Sequence, residues 1–587
     1  MSTATLPADA AQPSPLAPPP NFPVTWDDQA DARQYWQLDR MFWPAPVNLL
    51  DFSYMFEGGR WWGRRQDAWE GDDLPVRWEA RRINTYYYQC PTPMEGPTEE
   101  LAARRERAHH KLQAAIPHLG ETWRTQFLPE IERHFAYWQE FDLQGATMPQ
   151  LLAHLDETLA RSDRIWDIHF LVVVPAYAAI SMFDDLYGDL FGRERALDSY
   201  RLLQGFGNKT VEMGLALWQL SRAVASAPAV QTVLQRYAPG DVPAALEQSA
   251  EGRAFQVRLR AYLREYGQRS ERWGISYPSW VEDPTPVMKN LRDYAAQPER
   301  DPHAELSRLA SERERLVTEA RARLAGAPAA VVERFELLLK AAQEGTVLHE
   351  DHAFWIDFGL SCQVRQVAWE FGRRFAAAGV VAQPDSIFHL TLDELRQTAE
   401  ELPRIDRRAL TAARCAEIAY FRTITPPAAL GTPPAATAGP PTLPSREDPV
   451  GRAFMKMWGL ADAGTAASEE DPAREAELAA PRVLYGNAGS AGVARGAVRV
   501  VRTLAEAAKL RPGDVLVAET TAPPWTLLFA TAAAVVTDAG GVLSHSAVVA
   551  REYGIPAVLG TGTATSVLKD GQIVEVDGSA GTVRVVG

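Results

Sequence analysis

Near the C-terminus, the run TDAGGVLSHSAVVAREYGIPAV (residues 537–558) places a histidine, His545, between two serines. Before it an apolar strand pattern, AAVVTD, ends in Gly540 and Gly541, which permit a tight turn and the close approach of another molecule. After it AVVAREYG reads as a helix closed by Gly554. A strand-to-helix junction offers unpaired N–H groups and the positive end of a helix dipole, which together hold an anion. Imidazole is a good nucleophile near neutral pH. A group transferred to the ring of His545 as an anion would therefore be stabilised where it lands. A lone histidine at a helix start more often caps or packs, and it is the surrounding pattern that sets this one apart.

A second polar constellation lies in HEDHAFWIDFGLSCQVRQVAWEFGRRF, residues 349–375. His349 with His352, Glu350 with Asp357, and Arg365 with Arg373 fall at spacings that share helix faces. Passing an anionic group from such a histidine to another molecule would need a base to take a proton and cations to meet the anion's oxygens. His349, Glu350 or His352 suit the first role, and Arg365, Arg373 or Arg269 the second. The alternative for any one of them is a solvated or structural charge pair. Lys209 fits a solvated lysine at a helix end. The His-x-x-His pair lacks a third ligand at a recognisable spacing, so no metal site is expected.

The elements that must position these residues fall into three regions. The chain has 587 residues, enough for two or three domains. Residues 1–23, rich in Pro and Ala, read as a disordered arm without the charged start and apolar core of a signal peptide. From 24 to 423 apolar residues recur at three- and four-residue spacing, giving a large, mostly α-helical domain. Its first hundred residues are aromatic-rich and suggest short strands packed on the helices. Residues 424–480 are low in complexity, rich in Pro, Ala, Gly and Thr, and read as a flexible linker interrupted by a short helical patch before Trp458. About fifty such residues have an r.m.s. span of roughly 40 Å, enough to let a small domain shuttle. From 481 to 587 short apolar runs alternate with glycine turns and two short helices, which is a compact β/α domain. The fold class is thus multidomain, α plus α/β.

The formal net charge of −15 argues against nucleic acid or an anionic membrane as main partner. Three cysteines, Cys90, Cys362 and Cys415, lie far apart and fit a reducing cytoplasm. The most apolar run, residues 168–183, looks too short and interrupted to span a bilayer. GFGNKT (205–210) lacks the order of a nucleotide-binding loop and reads as a helix junction lining a pocket; GTGTAT (560–565) reads as a turn.

The pattern GG-x-x-S-H-S-A-V-V-A-R-E-x-G-I-P-A-V resembles the signature of the swivelling domain of phosphoenolpyruvate-utilising enzymes. GNAGSAGVARGAVRVV (486–501) looks like the opening of that domain and DGQIVEVDGSAGTVRVV (570–586) like its close. The resemblance implies that His545 accepts and passes on a phosphoryl group, carried on a domain that swings between two active sites. Leu543 stands where some dikinases have a regulatory threonine, so control by phosphorylation there is not expected.

LLQGFGNKTVEMGLALWQLSRA (202–223), REYGQRSERWGISYPSWVEDPTPV (264–287) and GVVAQPDSIFHLTLDEL (379–395) are similar to the acceptor-binding domain of rifampicin phosphotransferase. ARQYWQLDRMFWPAPVNLLDF with INTYYYQCPTPM resembles the large subunit of phenylphosphate synthase. These likenesses imply a dikinase-type reaction in which the β-phosphoryl group of ATP passes through His545 to a hydroxyl-bearing small molecule. No ATP-grasp pattern precedes the swivelling domain and no phosphoenolpyruvate barrel follows it. The expectation is Mg-ATP bound by a separate ATP-grasp subunit, with no cofactor held permanently by this chain. Seventeen tryptophans and Tyr86–Tyr88 would mostly build core, and would also suit a pocket for a phenolic or otherwise apolar acceptor. The alternatives are a non-catalytic phosphocarrier or regulatory protein, and phosphoenolpyruvate in place of ATP.

Overall fold

The structure is a computed structural model that describes residues 15–57, 60–69, 76–193, 196–434, 448–459 and 483–586. The N-terminal region is built on helices around a four-stranded antiparallel sheet. Its strands are β1 (Tyr35–Leu38), β2 (Val76–Ile83), β3 (Tyr86–Pro93) and β4 (Ala429–Gly431), in the order β2-β3-β1-β4. The expected strands among the aromatic-rich first hundred residues are present. Alternation turns Tyr86 and Tyr88 toward Phe22 and Phe421, and Tyr87 toward Trp43 and Phe56.

The central element is α1 (Met148–Phe191), a helix of 44 residues. Thr147 and Gln150 close a capping box at its start, Pro149 occupies its first turn, and Gly192 ends it at φ +79°. The apolar run around His169 lies within this longer helix. It is the one described helix long and apolar enough to cross a membrane, and 78% of that window is buried inside the fold. Against it packs α2 (Ala329–His352), which continues through a π-helical segment, Ala353–Leu360, into α3 (Ser361–Ala377).

The C-terminal region is an eight-stranded sheet. Its strands are β5 (Val483–Tyr485), β6 (Asn487–Ser490), β7 (Val493–Val500), β8 (Val515–Ala518), β9 (Ala534–Thr537), β10 (Ala557–Leu559), β11 (Ile573–Asp577) and β12 (Thr582–Val585). The order is β5-β12-β11-β7-β8-β9-β10-β6, with parallel pairing from β7 through β10. The central strands are buried on both faces, which is why they read as unbroken Val and Ala runs. The large helical region and the β/α domain are as expected.

Two boundaries differ. In the segment expected to be an arm, Phe22 is fully buried against Tyr86, Tyr88 and Phe421, and Leu16 donates its N–H to Gly431; residues 1–14 lie outside the described part. In the segment expected to be a linker, β4 completes the N-terminal sheet and α4 (Pro449–Trp458) packs on α1. Lys456 of α4 reaches Asp184 and Asp185 at 2.6 and 3.1 Å, and Arg452 reaches Asp185 at 2.8 Å. Asp448 caps the helix and Gly459 ends it in the left-handed region. The short helical patch expected inside the linker is this helix, and its apolar face, Val450, Ala453 and Met457, joins the main core, so it is not a free tether. The rest of the expected linker, 435–447 and 460–482, lies outside the described residues.

Candidate active site at the domain interface

The helix α5 (His545–Glu552) begins at His545 itself, with Ser544 in the extended conformation before it. The side chain does not sit over its own helix start. It reaches across to the helical domain, where Nδ1 lies 2.9 Å from Glu350 Oε1, and Nε2 lies 3.2 Å from Thr526 Oγ1. Glu350 is fully buried on α2 and collects further donors: His349 Nδ1 at 3.0 Å and the Thr210 hydroxyl at 2.7 Å. Arg269, also fully buried, donates to Thr210 Oγ1 at 2.9 Å and to the Pro523 carbonyl at 3.0 Å. Burial pushes the Glu350 carboxyl up, but His545 and His349 more than offset this and hold it well below the usual carboxylate range. Burial lowers the His545 ring despite Glu350. A neutral ring donating its Nδ1–H to a carboxylate leaves the Nε2 lone pair as nucleophile.

The carrier domain is seated by more than this histidine. Leu543 O faces His349 Nε2 at 3.2 Å, and Leu543 and Val542 join the helical core. Leu527, Ala530 and Tyr553 pack into a second helical cluster around Leu217 and Leu291. Glu552 accepts the Gly205 N–H, and burial pushes its carboxyl up to about 8. So GFGNKT is a helix junction as expected: Asn208 caps the helix Lys209–Val224, Gly205 receives Glu552, and Thr210 receives Glu350. Lys209 pairs with Glu212. Gly541 does allow a close approach, but to the chain itself. Its N–H donates to Met457 of α4, and a Cβ there would lie 2.2 Å from the Lys456 carbonyl.

Beside His545 opens a cavity of about 150 Å³. Its walls are largely aromatic, Phe42, Trp61, Tyr87, Trp273 and Trp458 among them, with Phe42 stacked on Trp273 at 4.5 Å. Phe454, Met457 and Trp458 come from α4, so the expected linker supplies one wall. His169 of α1, His349, His352 and Asp357 also line it. Arg272 and Arg502 are the cations at its edge.

Of the residues singled out by spacing, His545, His349, Glu350 and His352 converge here, and Arg269 supports them through Thr210. Arg365 and Arg373 do not. Arg365 is held by Glu282 at 2.9 Å and by the Ile275 carbonyl, and Arg373 pairs with Glu370 at 2.7 Å on a half-exposed surface. Shared helix faces brought them to notice, but face logic is blind to carboxylates on other elements and on the next turn. It also fails across the π-helical segment, which turns Asp357 away from Glu350 and toward His352. His169, Thr210, Thr526, Arg272 and Arg502 were missed. Arg272 stands in a quoted motif, REYGQRSERWG; His169 sits in an apolar run and gives no separate signal.

A histidine at the start of a helix is thus set on a β/α domain and faces an aromatic pocket in a helical domain. Residues 169–350 match the model of the rifampicin phosphotransferase fourth domain, and residues 510–581 that of the PEP-utilising enzyme mobile domain. The chain is 39% identical over 586 residues to chondramide synthase cmdD of Chondromyces crocatus, covering 97% of this chain and 14% of that protein. It is 32% identical to the uncharacterised phosphotransferase YvkC of Bacillus subtilis, covering 72% of this chain and 47% of that protein. With a rifampicin phosphotransferase of Streptomyces sviceus it shares 27% identity, covering 76% and 48%. The chain belongs to the family of PEP-utilising enzymes with a swivelling phosphohistidine domain. It spans about half or less of the length of these relatives.

Proposed function

We propose that this protein receives a phosphoryl group on His545 Nε2 and gives it to a hydroxyl group of an apolar, aromatic-sized small molecule held in the pocket beside it. The contact between His545 and Glu350 carries this reading, because it sets the carrier histidine at the mouth of the acceptor pocket. In the transfer, the acceptor hydroxyl gives up its proton to solvent and its oxygen forms a bond to phosphorus as the N–P bond breaks, and the electron pair returns to Nε2. Glu350 holds the Nδ1–H throughout, so the ring stays in the tautomer that can accept the next phosphoryl group. Arg272 and Arg502, which line the same cavity as His545, supply the charge for the phosphoryl oxygens in this reading. Aromatic walls favour a phenolic or similar acceptor. The donor is the β-phosphoryl group of Mg-ATP, handled by an ATP-grasp module on a partner subunit, in a dikinase-type cycle that yields AMP and inorganic phosphate.

The test combines this protein with a candidate ATP-grasp partner, ATP and a panel of phenols, and follows AMP and acid-labile phosphate on the chain. His545→Ala removes both the label and the phosphorylated product. Product formation by that variant at the wild-type rate rules the carrier role out.

A further inference from the structure

A second histidine–carboxylate cluster shares the cavity with His545 and is used by none of the steps above. It consists of His169 on α1, His352 at the end of α2, and Asp357 in the π-helical segment. A π turn brings residues five apart into register, which is what aligns Asp357 with His352. His169, His352 and Asp357 are 6%, 4% and 5% exposed. One ligand atom from each lies within 4.8 Å of the other two.

The contacts within this cluster are close but not those of hydrogen bonding. His169 Nδ1 lies 3.1 Å from Asp357 Oδ1, yet the alignment is wrong, and among the described residues neither atom has a hydrogen-bond partner. His352 Nε2 lies 3.6 Å from Asp357 Oδ2, too far for a hydrogen bond. Buried polar atoms are ordinarily satisfied, so a group of them aimed at one another without bonding marks a place for something between them. Ligand atoms around a tetrahedral ion with bonds of about 2.0–2.2 Å stand about 3.4 Å apart; here the imidazoles lie 3.1 and 3.6 Å from the two oxygens of Asp357, and one ligand atom from each residue lies within 4.8 Å of the others. His352 Nδ1 faces the Leu348 carbonyl at 2.8 Å, so Nδ1 carries the proton and Nε2 presents its lone pair.

We propose that His169, His352 and Asp357 bind one divalent transition-metal ion at the floor of the acceptor pocket, with an open coordination position toward the cavity. Two imidazoles and one carboxylate select zinc, manganese or iron(II) over magnesium and calcium. Building on the acceptor reading above, the acceptor hydroxyl takes the open position. Its proton leaves to solvent as the metal-bound oxyanion forms, that oxyanion attacks phosphorus, and the N–P electron pair returns to His545 Nε2. The neighbouring set His349, Glu350 and His545 also has ligand atoms close together, but its carboxylate oxygens are already engaged by His349, His545 and Thr210.

The test is cobalt(II) binding to the purified chain, read by visible absorption and equilibrium dialysis, without any substrate. One Co²⁺ per chain is expected, with affinity falling at least tenfold in Asp357→Asn and in His352→Gln and unchanged in His545→Ala. Circular dichroism checks that each variant is folded, and zinc content by elemental analysis follows the same order. Failure of the wild-type chain to bind Co²⁺ overturns the proposal, as does binding lost in His545→Ala but kept in Asp357→Asn, which would place the ion at the other set. Because the readout is metal alone, it stands or falls separately from phosphoryl transfer.

Discussion

Two histidine–carboxylate groups flank the end of α2, and they are finished to different degrees. Around Glu350 every oxygen has a donor: two imidazoles, a threonine hydroxyl, and behind that hydroxyl a buried arginine. Around Asp357 the two imidazoles stand 3.1 and 3.6 Å away and make no hydrogen bond to it. A satisfied network fixes one tautomer and one ring position, which is what a reusable nucleophile needs. An unsatisfied one is set up for a partner it must bind. On the proposed reading, the contrast corresponds to two halves of a reaction: loading and presenting the phosphoryl group on one side, activating its acceptor on the other.

The sharpest way to break this division is Asp357→Asn. Transfer from His545 to the acceptor is expected to fall about 1,000-fold, the several kcal/mol that a Lewis acid supplies, while acid-labile label on His545 reaches its usual level. If labelling and transfer fall together, the two groups are one functional unit. Next is Glu350→Gln, which replaces the acceptor of the Nδ1–H by an amide that can present a donor instead. Both loading and delivery are expected to slow about 100-fold, and rapid-quench labelling of His545 would show it. An unchanged loading rate would reduce Glu350 to a docking contact.

How far this division can be read from the sequence depends on what each residue's partners are. His545 is legible because its strand, glycines and helix are contiguous in the chain. His349, Glu350 and His352 are legible because they crowd one segment. The partner of Glu350 stands 195 positions away, and the connection exists only once the carrier domain is seated. His169 is hidden because a single polar residue in an apolar helix looks like any buried histidine. Asp357 was grouped with Glu350 on α-helical spacing, and one π-helical segment moved it into another site. Helix α4 is legible as a short helical patch between Pro- and Ala-rich flanks, but its pairing with Asp184 and Asp185 exists only in the folded chain, so its docking was not.

A smaller effect concerns how the carrier is held over the pocket. Glu552 is pushed up to about 8 by burial in the docked arrangement, against 4.5 in the open. The docked form therefore keeps a proton that the released form gives up. Docking is fully favoured below about pH 4.5 and weakens as the pH rises toward 8. Energy transfer between labels on the two domains should report a several-fold rise in undocked protein between pH 6 and 8, and Glu552→Gln should flatten that slope. The same slope in the variant would assign it to another group. Least of all is expected from Arg373→Ala: stability within about 0.5 kcal/mol and unchanged transfer, since Arg373 is half-exposed and bound to Glu370. A loss of transfer in that variant would return the phosphate-binding role to α3.

The seating of α4 on Asp184 and Asp185 has a consequence for the geography of the whole cycle. With that helix pinned, only residues 460–482 connect the pocket wall to the first strand of the carrier. Whatever form they take, those residues cannot stretch beyond about 80 Å. In the proposed cycle, the donor must then come within that length plus the span of the carrier domain itself from the pocket, and a partner that cannot approach so near is not the donor.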